Sequence, residues 1–271
     1  MRGALGVLLK QLAPPTVFER IYRPAAAPGS GPSGLSDHPR PFVFRVAHLD
    51  GRTLVPGDVL WIDAHVFDLH RPVLPYFAEA FTQLATAGIG PERGRARLVA
   101  LEQLDLEDRP SALESSPGPP CTVSLEPEPS AVESVTVRFA SPTELKSAGH
   151  PADRPEFAIL FARLRDRIST LHTLYGDGPL PLDFRDMGER AAHIALTRCN
   201  LTWEKSSRRS TRTGQRHPLG GFLGEAEYQG VLTEFLPWLR AAQWTGVGRH
   251  TVWGHGDLRV VAAQNARVRS L

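Results

Sequence analysis

Apolar residues recur at helical spacing in five stretches of the chain and alternate with polar residues over much of the sequence between them. The helical pattern is carried by RGALGVLLKQLA, VLPYFAEAFTQLATAG, PEFAILFARLRDRISTLHTLYG, DFRDMGERAAHIALT and GVLTEFLPWLRAAQW. Strands are predicted at PFVFRVAHL, DVLWIDAHVFDL, RARLVALEQLDL, ESVTVRFASPT, CNLTWEKS, GGFLGEAEYQ and DLRVVAA. Helices and strands mixed in this way predict an α+β protein.

The order of these elements indicates two similar halves. The second half has the order strand, helix, strand, strand, helix, strand, which is typical of ferredoxin-like (RRM-like) domains. The first half has the same order without its opening strand, which in such a sheet lies between two neighbours. We therefore predict tandem ferredoxin-like domains over residues 1–128 and 129–271, the first lacking its opening strand. A segment preceding Met1, or another piece of chain, is expected to fill the gap.

A glycine-rich segment, TGVGRHTVWGHGDLRV, separates the last predicted helix from the last strand. Glycine lets the backbone approach a ligand closely, and phosphate is a common ligand of such segments. A dinucleotide or P-loop site would need a strand before the glycines and a helix after them, so the reversed order here disfavours both. The residues of interest are Gly246, Gly248, Arg249, His250, Gly254 and Gly256.

Composition narrows the class of protein further. The chain has 271 residues, of which 41% are hydrophobic, and its net charge is only +2. Cys121 and Cys199 lie far apart without CxxC spacing, which indicates neither a disulfide framework nor a zinc site, and no metal or cofactor is expected. No apolar stretch is long enough to span a bilayer. We therefore predict a cytoplasmic protein without a membrane partner.

The positive charge is concentrated in one segment, RCNLTWEKSSRRSTRTGQRHPLGG. Arginine supplies both charge and forked hydrogen-bond donors, so such a segment fits a phosphate backbone. A solvated arginine-rich loop is the alternative explanation of the same pattern. The candidate RNA-binding residues are Arg208, Arg209, Arg212 and Arg216.

Taken together, these features resemble the CRISPR repeat-processing endoribonucleases of the RAMP superfamily that have a characteristic C-terminal domain. The resemblance is carried by the two ferredoxin-like halves, GVGRHTVWGHG, RSTRTGQRHPLGGFLGEAEYQG, and RGALG followed by PRPFVFR. It implies binding of CRISPR precursor RNA and one metal-independent cut by a ribose 2′-OH, leaving 2′,3′-cyclic phosphate and 5′-OH ends. The alternative is a non-catalytic RNA-binding subunit, and other CRISPR effector subunits are candidate partners in both cases.

The resemblance also suggests catalytic residues. In the family a histidine follows the first helix and precedes the next strand, which here matches His38 in LSDHPRPFVF. Arg40 would contact phosphate and Tyr22 would assist orientation, whereas a surface histidine beside two prolines is the competing explanation of His38. The family's catalytic lysine has no evident counterpart. His217, in the basic segment, is the second candidate for the catalytic histidine.

Overall fold

The computed structural model describes residues 2–24, 38–68, 73–89, 93–113, 118–209 and 216–265, with the backbone alone for residues 2, 206–209, 216–218 and 265. Two hydrophobic cores divide the chain. One is built from residues of the first ninety together with Val252, and the other from buried residues from Val132 onwards. Within the described residues, no helix combines the length and apolar character needed to cross a membrane.

The first half contains three helices and a small antiparallel sheet. Helices α1 (Arg2–Leu12), α2 (Pro15–Tyr22) and α3 (Leu74–Ala87) enclose strands β1 (Phe42–Arg45) and β2 (Asp63–Val66). Phe42 and Phe44 of β1 are fully buried against Phe77 and Phe81 of α3. Helix α2 was not predicted, because Pro14 and Pro15 resemble a chain break, whereas proline in the first turn of a helix removes no internal hydrogen bond.

The predicted strands of the first half are shorter in the structure. After β1 the chain turns into a 3₁₀ helix over Ala47–Leu49. The segment RARLVALEQLDL does not join β1 and β2, since only Glu102–Leu104 (β3) is extended, and it pairs with Pro110–Ala112 (β4) in a separate hairpin. Val99 of this segment is 73% exposed, so the alternating apolar residues of the segment do not pack against a core.

The second half is a complete ferredoxin-like domain, as predicted. Its strands are β5 (Val132–Thr143), β8 (Ala195–Arg209), β9 (Arg216–Gln229) and β10 (Leu258–Asn265), in the sheet order β10-β5-β9-β8 with all neighbours antiparallel. A small hairpin of β6 (Lys146–Ser147) and β7 (His150–Pro151) follows β5. The helices are α4 (Phe157–Tyr175), α5 (Phe184–Ala191) and α6 (Leu236–Thr245).

Aromatic side chains join the helices of the second half to its sheet. Phe161 of α4 packs against Phe235 and against Trp238 of α6, and Phe157 packs against Tyr228 of β9. All of these rings are buried. Helices α4 and α6 are thereby fixed on one face of the sheet, and their C-terminal ends lie next to the first half.

Candidate nucleic-acid interface

The arginine-rich hairpin projects from one end of the second sheet. Its strands pair from Ala195 with Gln229 to Arg209 with Arg216, whereas the last pair between β5 and β9 is Thr143 with Phe222. The hairpin therefore extends roughly 20 Å beyond the rest of the sheet. Arg208 pairs with His217 in the backbone register, and Arg212 lies outside the described residues.

The glycine-rich loop, residues 246–257, lies at the same end of the sheet as the hairpin. The amide of Gly256 donates to Pro142 O at 3.1 Å, and the amide of Arg249 donates to Glu144 O at 3.1 Å. Both acceptors lie at the C-terminal end of β5, from which the hairpin also projects. The loop and the hairpin thus border one end of the domain, which is the arrangement that a shared RNA surface requires.

Internal packing explains why the loop needs glycine. Gly248 has φ +76° and Gly256 has φ +71°, and a Cβ at either position would overlap a backbone oxygen, that of Glu144 or Val247. Gly246 and Gly254 also have positive φ, and a Cβ on Gly254 would lie 2.6 Å from Val46 of the first half. RNA contact by these four glycines stays a prediction, whereas their role in packing the loop follows from the geometry.

The loop also connects the two halves of the protein. Val252 is buried in the core of the first half, and the ring of Trp253 packs at its edge. His250 has φ +63° and stacks on Trp253 with ring centroids 4.9 Å apart. Arg249 forms an ion pair with the buried Glu144 at 2.7 Å, and its side chain is 47% exposed. Arg249 therefore presents charge at the surface of the loop, while His250 shapes it.

His38 lines an open cleft of about 350 Å³ at the junction of the two halves. Helix α2 and the residue after it supply one wall with Arg20 and Arg23, and the C-terminal end of α4 supplies another with Leu174 and Tyr175. Arg20 bonds to the buried carboxylate of Asp68 at 2.7 Å, which fixes its guanidinium at the cleft. The predicted catalytic histidine thus shares this cleft with two arginines and with the carboxylate of Glu19.

The other two candidate residues contact each other. Arg40 Nε donates to Tyr22 O at 2.8 Å, and its guanidinium lies 5.9 Å from the centre of the Tyr22 ring. That ring packs between Phe18 and Phe42 and over Gly6, where a Cβ would collide with it. Tyr22 and Arg40 therefore tie the end of α2 to the segment that carries His38.

Tyr175 holds the backbone next to His38 and was not found from the sequence. Its hydroxyl donates to Pro39 O at 2.8 Å, although the two residues are 136 positions apart. Burial raises the pKa of Tyr175 to about 12, so the hydroxyl keeps its proton at neutral pH. The sequence pattern indicated only that this position ends an amphipathic helix.

Two arginines, one from each half, donate to the C-terminal end of α6, and the contact of Arg45 joins the halves. Arg45 of β1 donates to Gln243 O at 2.8 Å and lies 3.6 Å from Asp257, and Arg167 of α4 donates to Thr245 O at 2.7 Å. Cations are favourable here because the last carbonyls of a helix have no partner within it. Burial lowers the pKa of Arg45 to about 10 and that of Arg167 to about 9, and both stay charged.

His65 makes the junction sensitive to acid. Its Nδ1 lies 2.8 Å from Trp244 O. Burial, and next the charge of Arg45, lowers its pKa from 6.5 to about 4. An unfolded chain would bind a proton on His65 near pH 6.5, so stability supplied by the neutral ring is complete above that pH and is lost as pH falls towards 4.

We expect His65 to contribute up to about 3 kcal/mol to the decrease in unfolding free energy between pH 6.5 and 4. The measurement is urea unfolding at a series of pH values. The His65→Gln variant should have a shallower dependence on pH than the wild type, whatever its stability at pH 7. Replacement of the exposed His193 by Gln is the control. Equal pH dependence of His65→Gln and the wild type would contradict the expectation.

Comparison with known proteins identifies the class. Residues 137–258 match a family model described as CRISPR-associated endoribonuclease Cas6, and residues 1–116 match a model described as an N-terminal domain. No curated protein matches the chain. The Cas6 model covers less than half of the chain, and together with the fold described above it supports the resemblance to Cas6-like CRISPR repeat-processing proteins that the sequence predicted.

Solved Cas6 structures share the fold. A product complex of the Cas6 protein TTHB231 is 18% identical, with 96% of this chain and 91% of that chain covered and a TM-score of 0.58. A second structure of TTHB231, from Thermus thermophilus, is 18% identical over 96% of this chain and 89% of that chain, with a TM-score of 0.53. A product complex of the Cas6 protein TTHA0078 is 18% identical over 96% and 91%, with a TM-score of 0.54.

Proposed function

We propose that this protein binds the repeat of a CRISPR precursor RNA and cuts it once without a metal ion. The observation that carries the proposal is the position of His38, in a cleft between the halves that Arg20 and Arg23 also line. Two Cas6 proteins of the same fold are described as product complexes, which supports RNA as the ligand. The Cas6 family model covers the half that contains the glycine-rich loop and the basic hairpin.

In the proposed reaction His38 removes the proton of a ribose 2′-OH. The 2′ oxygen then forms a bond to the adjacent phosphorus while the bond from phosphorus to the 5′ oxygen breaks in line with it. The products are a 2′,3′-cyclic phosphate and, after protonation of the leaving oxygen, a 5′-OH. Histidine suits this role because its ordinary pKa is close to neutral, and positioned proton transfer contributes about 10²–10⁴ in rate.

The arginines of the cleft would stabilise negative charge rather than transfer protons. A guanidinium stays protonated and cannot serve as an acid, but it stabilises the negative charge that develops on the phosphate oxygens. Arg23 lines the cleft directly, and Arg40 is held two residues from His38 by Tyr22. Arg40 is the candidate to take the place of the family's lysine.

RNA binding is assigned to the second half of the protein. Exposed Arg249 and the hairpin lie at one end of its sheet, so a strand that follows the hairpin meets the glycine-rich loop. Val252 of the loop is buried in the core of the half that carries His38, so the loop packs directly against that half. This continuity favours one RNA path from the hairpin to the cleft.

A non-catalytic repeat-binding subunit is the second candidate function, favoured by the lack of a counterpart to the family's lysine. In that role other CRISPR effector subunits would be its partners. Incubation of labelled repeat RNA with the protein in EDTA distinguishes the two functions. A single cut supports the endoribonuclease, whereas a mobility shift without cutting supports the binding subunit. Neither a shift nor a cut would contradict both.

We expect Tyr175→Phe to slow cleavage about tenfold while changing RNA affinity less than twofold. The lost hydrogen bond frees the backbone beside His38, and small displacements of a catalytic group are costly in rate. Single-turnover rates and dissociation constants measure the two effects.

Tyr228→Phe is the matched control, since its hydroxyl also donates to a proline oxygen, that of Pro155 at 2.7 Å, but within the second core. Both variants lose one buried hydrogen bond, so both should lose some stability. Only Tyr175→Phe should lose cleavage rate at a temperature where both are fully folded. Equal rates for the two variants would show that Tyr175 has no positioning role.

A further inference from the structure

A second cleft, of about 400 Å³, opens between the two halves and contains neither His38 nor the glycine-rich loop. One wall is formed by β2 and by Trp61, two residues before it, and Trp61 and Asp63 alternate with residues of the opposite face. Trp244, at the end of α6, forms another wall, and Glu102 and Asp108 of the β3–β4 hairpin form a third. A volume of this size holds one nucleotide.

Aromatic rings give this cleft a surface for a flat ligand. The indole of Trp61 is 56% exposed, although large aromatic rings are usually covered in a folded protein. It stacks on His48 with ring centroids 4.6 Å apart and an interplanar angle of 10°, and His48 Nε2 lies 3.1 Å from Trp61 O. These contacts hold the indole in one orientation, which is how proteins present a ring to a nucleobase.

The charges of the cleft favour a base over a phosphate. Both arginines of the cleft face Asp257, since Arg259 bonds to it at 2.8 Å and Arg45 lies 3.6 Å from it and also donates to the end of α6. Three carboxylates remain, those of Asp63, Glu102 and Asp108. A phosphate would be repelled by them, so a nucleotide that binds here would enter with its base first.

Asp63 lacks a donor within the cleft. Its carboxylate accepts no hydrogen bond from the described part of the chain, and its pKa is raised because it is half-buried. An exposed edge with two neighbouring N–H groups would satisfy both of its oxygens. Among the four RNA bases only guanine has such an edge, formed by N1–H and the N2 amino group, whereas adenine and cytosine place an acceptor beside their amino group.

We propose that this cleft binds an unpaired guanine of the RNA, stacked on Trp61 and hydrogen-bonded through its Watson–Crick edge to Asp63. The inference rests on the proposed function, because it takes RNA as the ligand. It adds a base-selective contact to a protein whose other candidate RNA contacts are with phosphate and ribose. The base lies against residues of both halves, so its binding would also hold the halves together.

Fluorescence anisotropy of labelled pentaribonucleotides tests the proposal with the full chain. At a salt concentration that weakens phosphate contacts, UUGUU should bind at least about fivefold more tightly than UUAUU, UUCUU and UUUUU. Asp63→Asn should remove this preference, and Trp61→Ala should weaken UUGUU binding about tenfold. Phe184→Ala is the control, since this ring is partly exposed on α5 and packs against Arg165, outside the cleft and away from the hairpin.

Two outcomes would overturn the proposal: equal affinity for the four pentamers, or an unchanged guanine preference in Asp63→Asn. Tighter binding of an arginine-rich peptide, competing with UUGUU for Trp61, would assign the cleft to a cationic protein segment instead. Thermal unfolding verifies that each variant is folded. Cleavage of repeat RNA by the wild type is scored separately, so a protein that cuts without guanine preference contradicts only this inference. One that prefers guanine without cutting contradicts only the proposed endoribonuclease.

Discussion

Replacement of His38 by Ala is expected to reduce the rate of repeat RNA cleavage at least about 100-fold while changing RNA affinity less than about threefold. The rate should fall because the variant lacks the side chain that we propose takes the 2′-OH proton. Affinity is retained because the arginines of the hairpin and Arg249 are untouched. Single-turnover cleavage with saturating protein separates the two effects, since binding is then complete for each variant.

His193→Ala is the matched control for this experiment. His193 is exposed and lies just before β8, at the opposite end of the sheet from the hairpin tip. Its removal should leave both rate and affinity unchanged. Undiminished cutting by His38→Ala would assign the proton transfer to another residue, and His217, whose backbone pairs with Arg208 in the hairpin, would be tested next.

Replacement of Gly248 by Ala should destabilise the protein by roughly 3 kcal/mol or more and weaken RNA binding. The positive φ of +76° is itself strained for alanine, by about 1–2 kcal/mol, and the new Cβ would overlap the carbonyl oxygen of Glu144. The loop must shift to relieve this overlap. Because Val252 connects the loop to the first core, the shift should also disturb the cleft that contains His38.

The Gly149→Ala variant separates the cost of a positive φ from the cost of steric overlap. Gly149 has φ +86°, similar to Gly248, but a Cβ there would have nothing within 4 Å. Alanine at 149 should therefore show only the conformational cost, and urea unfolding of both variants measures the difference. The packing explanation of the loop fails if Gly248→Ala loses no more stability than Gly149→Ala.

The second domain could be predicted because the sequence patterns of its helices and strands are strong and local. Strong periodicity in PEFAILFARLRDRISTLHTLYG and alternation in ESVTVRFASPT gave α4 and β5 close to their observed bounds. The position of the glycine-rich loop between a helix and a strand was also correct. The first half was harder, because β1 and β2 have only four residues each and the alternation of RARLVALEQLDL faces solvent.

The residues that join the halves could not be found from the sequence. Tyr175 contacts Pro39, and Arg45 contacts Gln243, over separations of more than a hundred residues. These contacts depend on how the two halves pack against each other, and no local sequence pattern predicts that packing. The one local signal of this junction was Arg45 in the β1 sequence FVFR. A strand that is enclosed on both faces has no ordinary place for a charged side chain, so an arginine in it needs partners elsewhere in the chain.

The central claim is that a ribose 2′-OH of the bound RNA is the nucleophile, activated in the cleft of His38. The most direct test is a repeat RNA that carries a single 2′-deoxyribose on the 5′ side of the cut, incubated with the protein in EDTA. We predict that this RNA binds as the all-ribose RNA does and is not cut, while the all-ribose RNA yields a 2′,3′-cyclic phosphate and a 5′-OH. Cleavage of the deoxy-substituted RNA at the same position would contradict the mechanism.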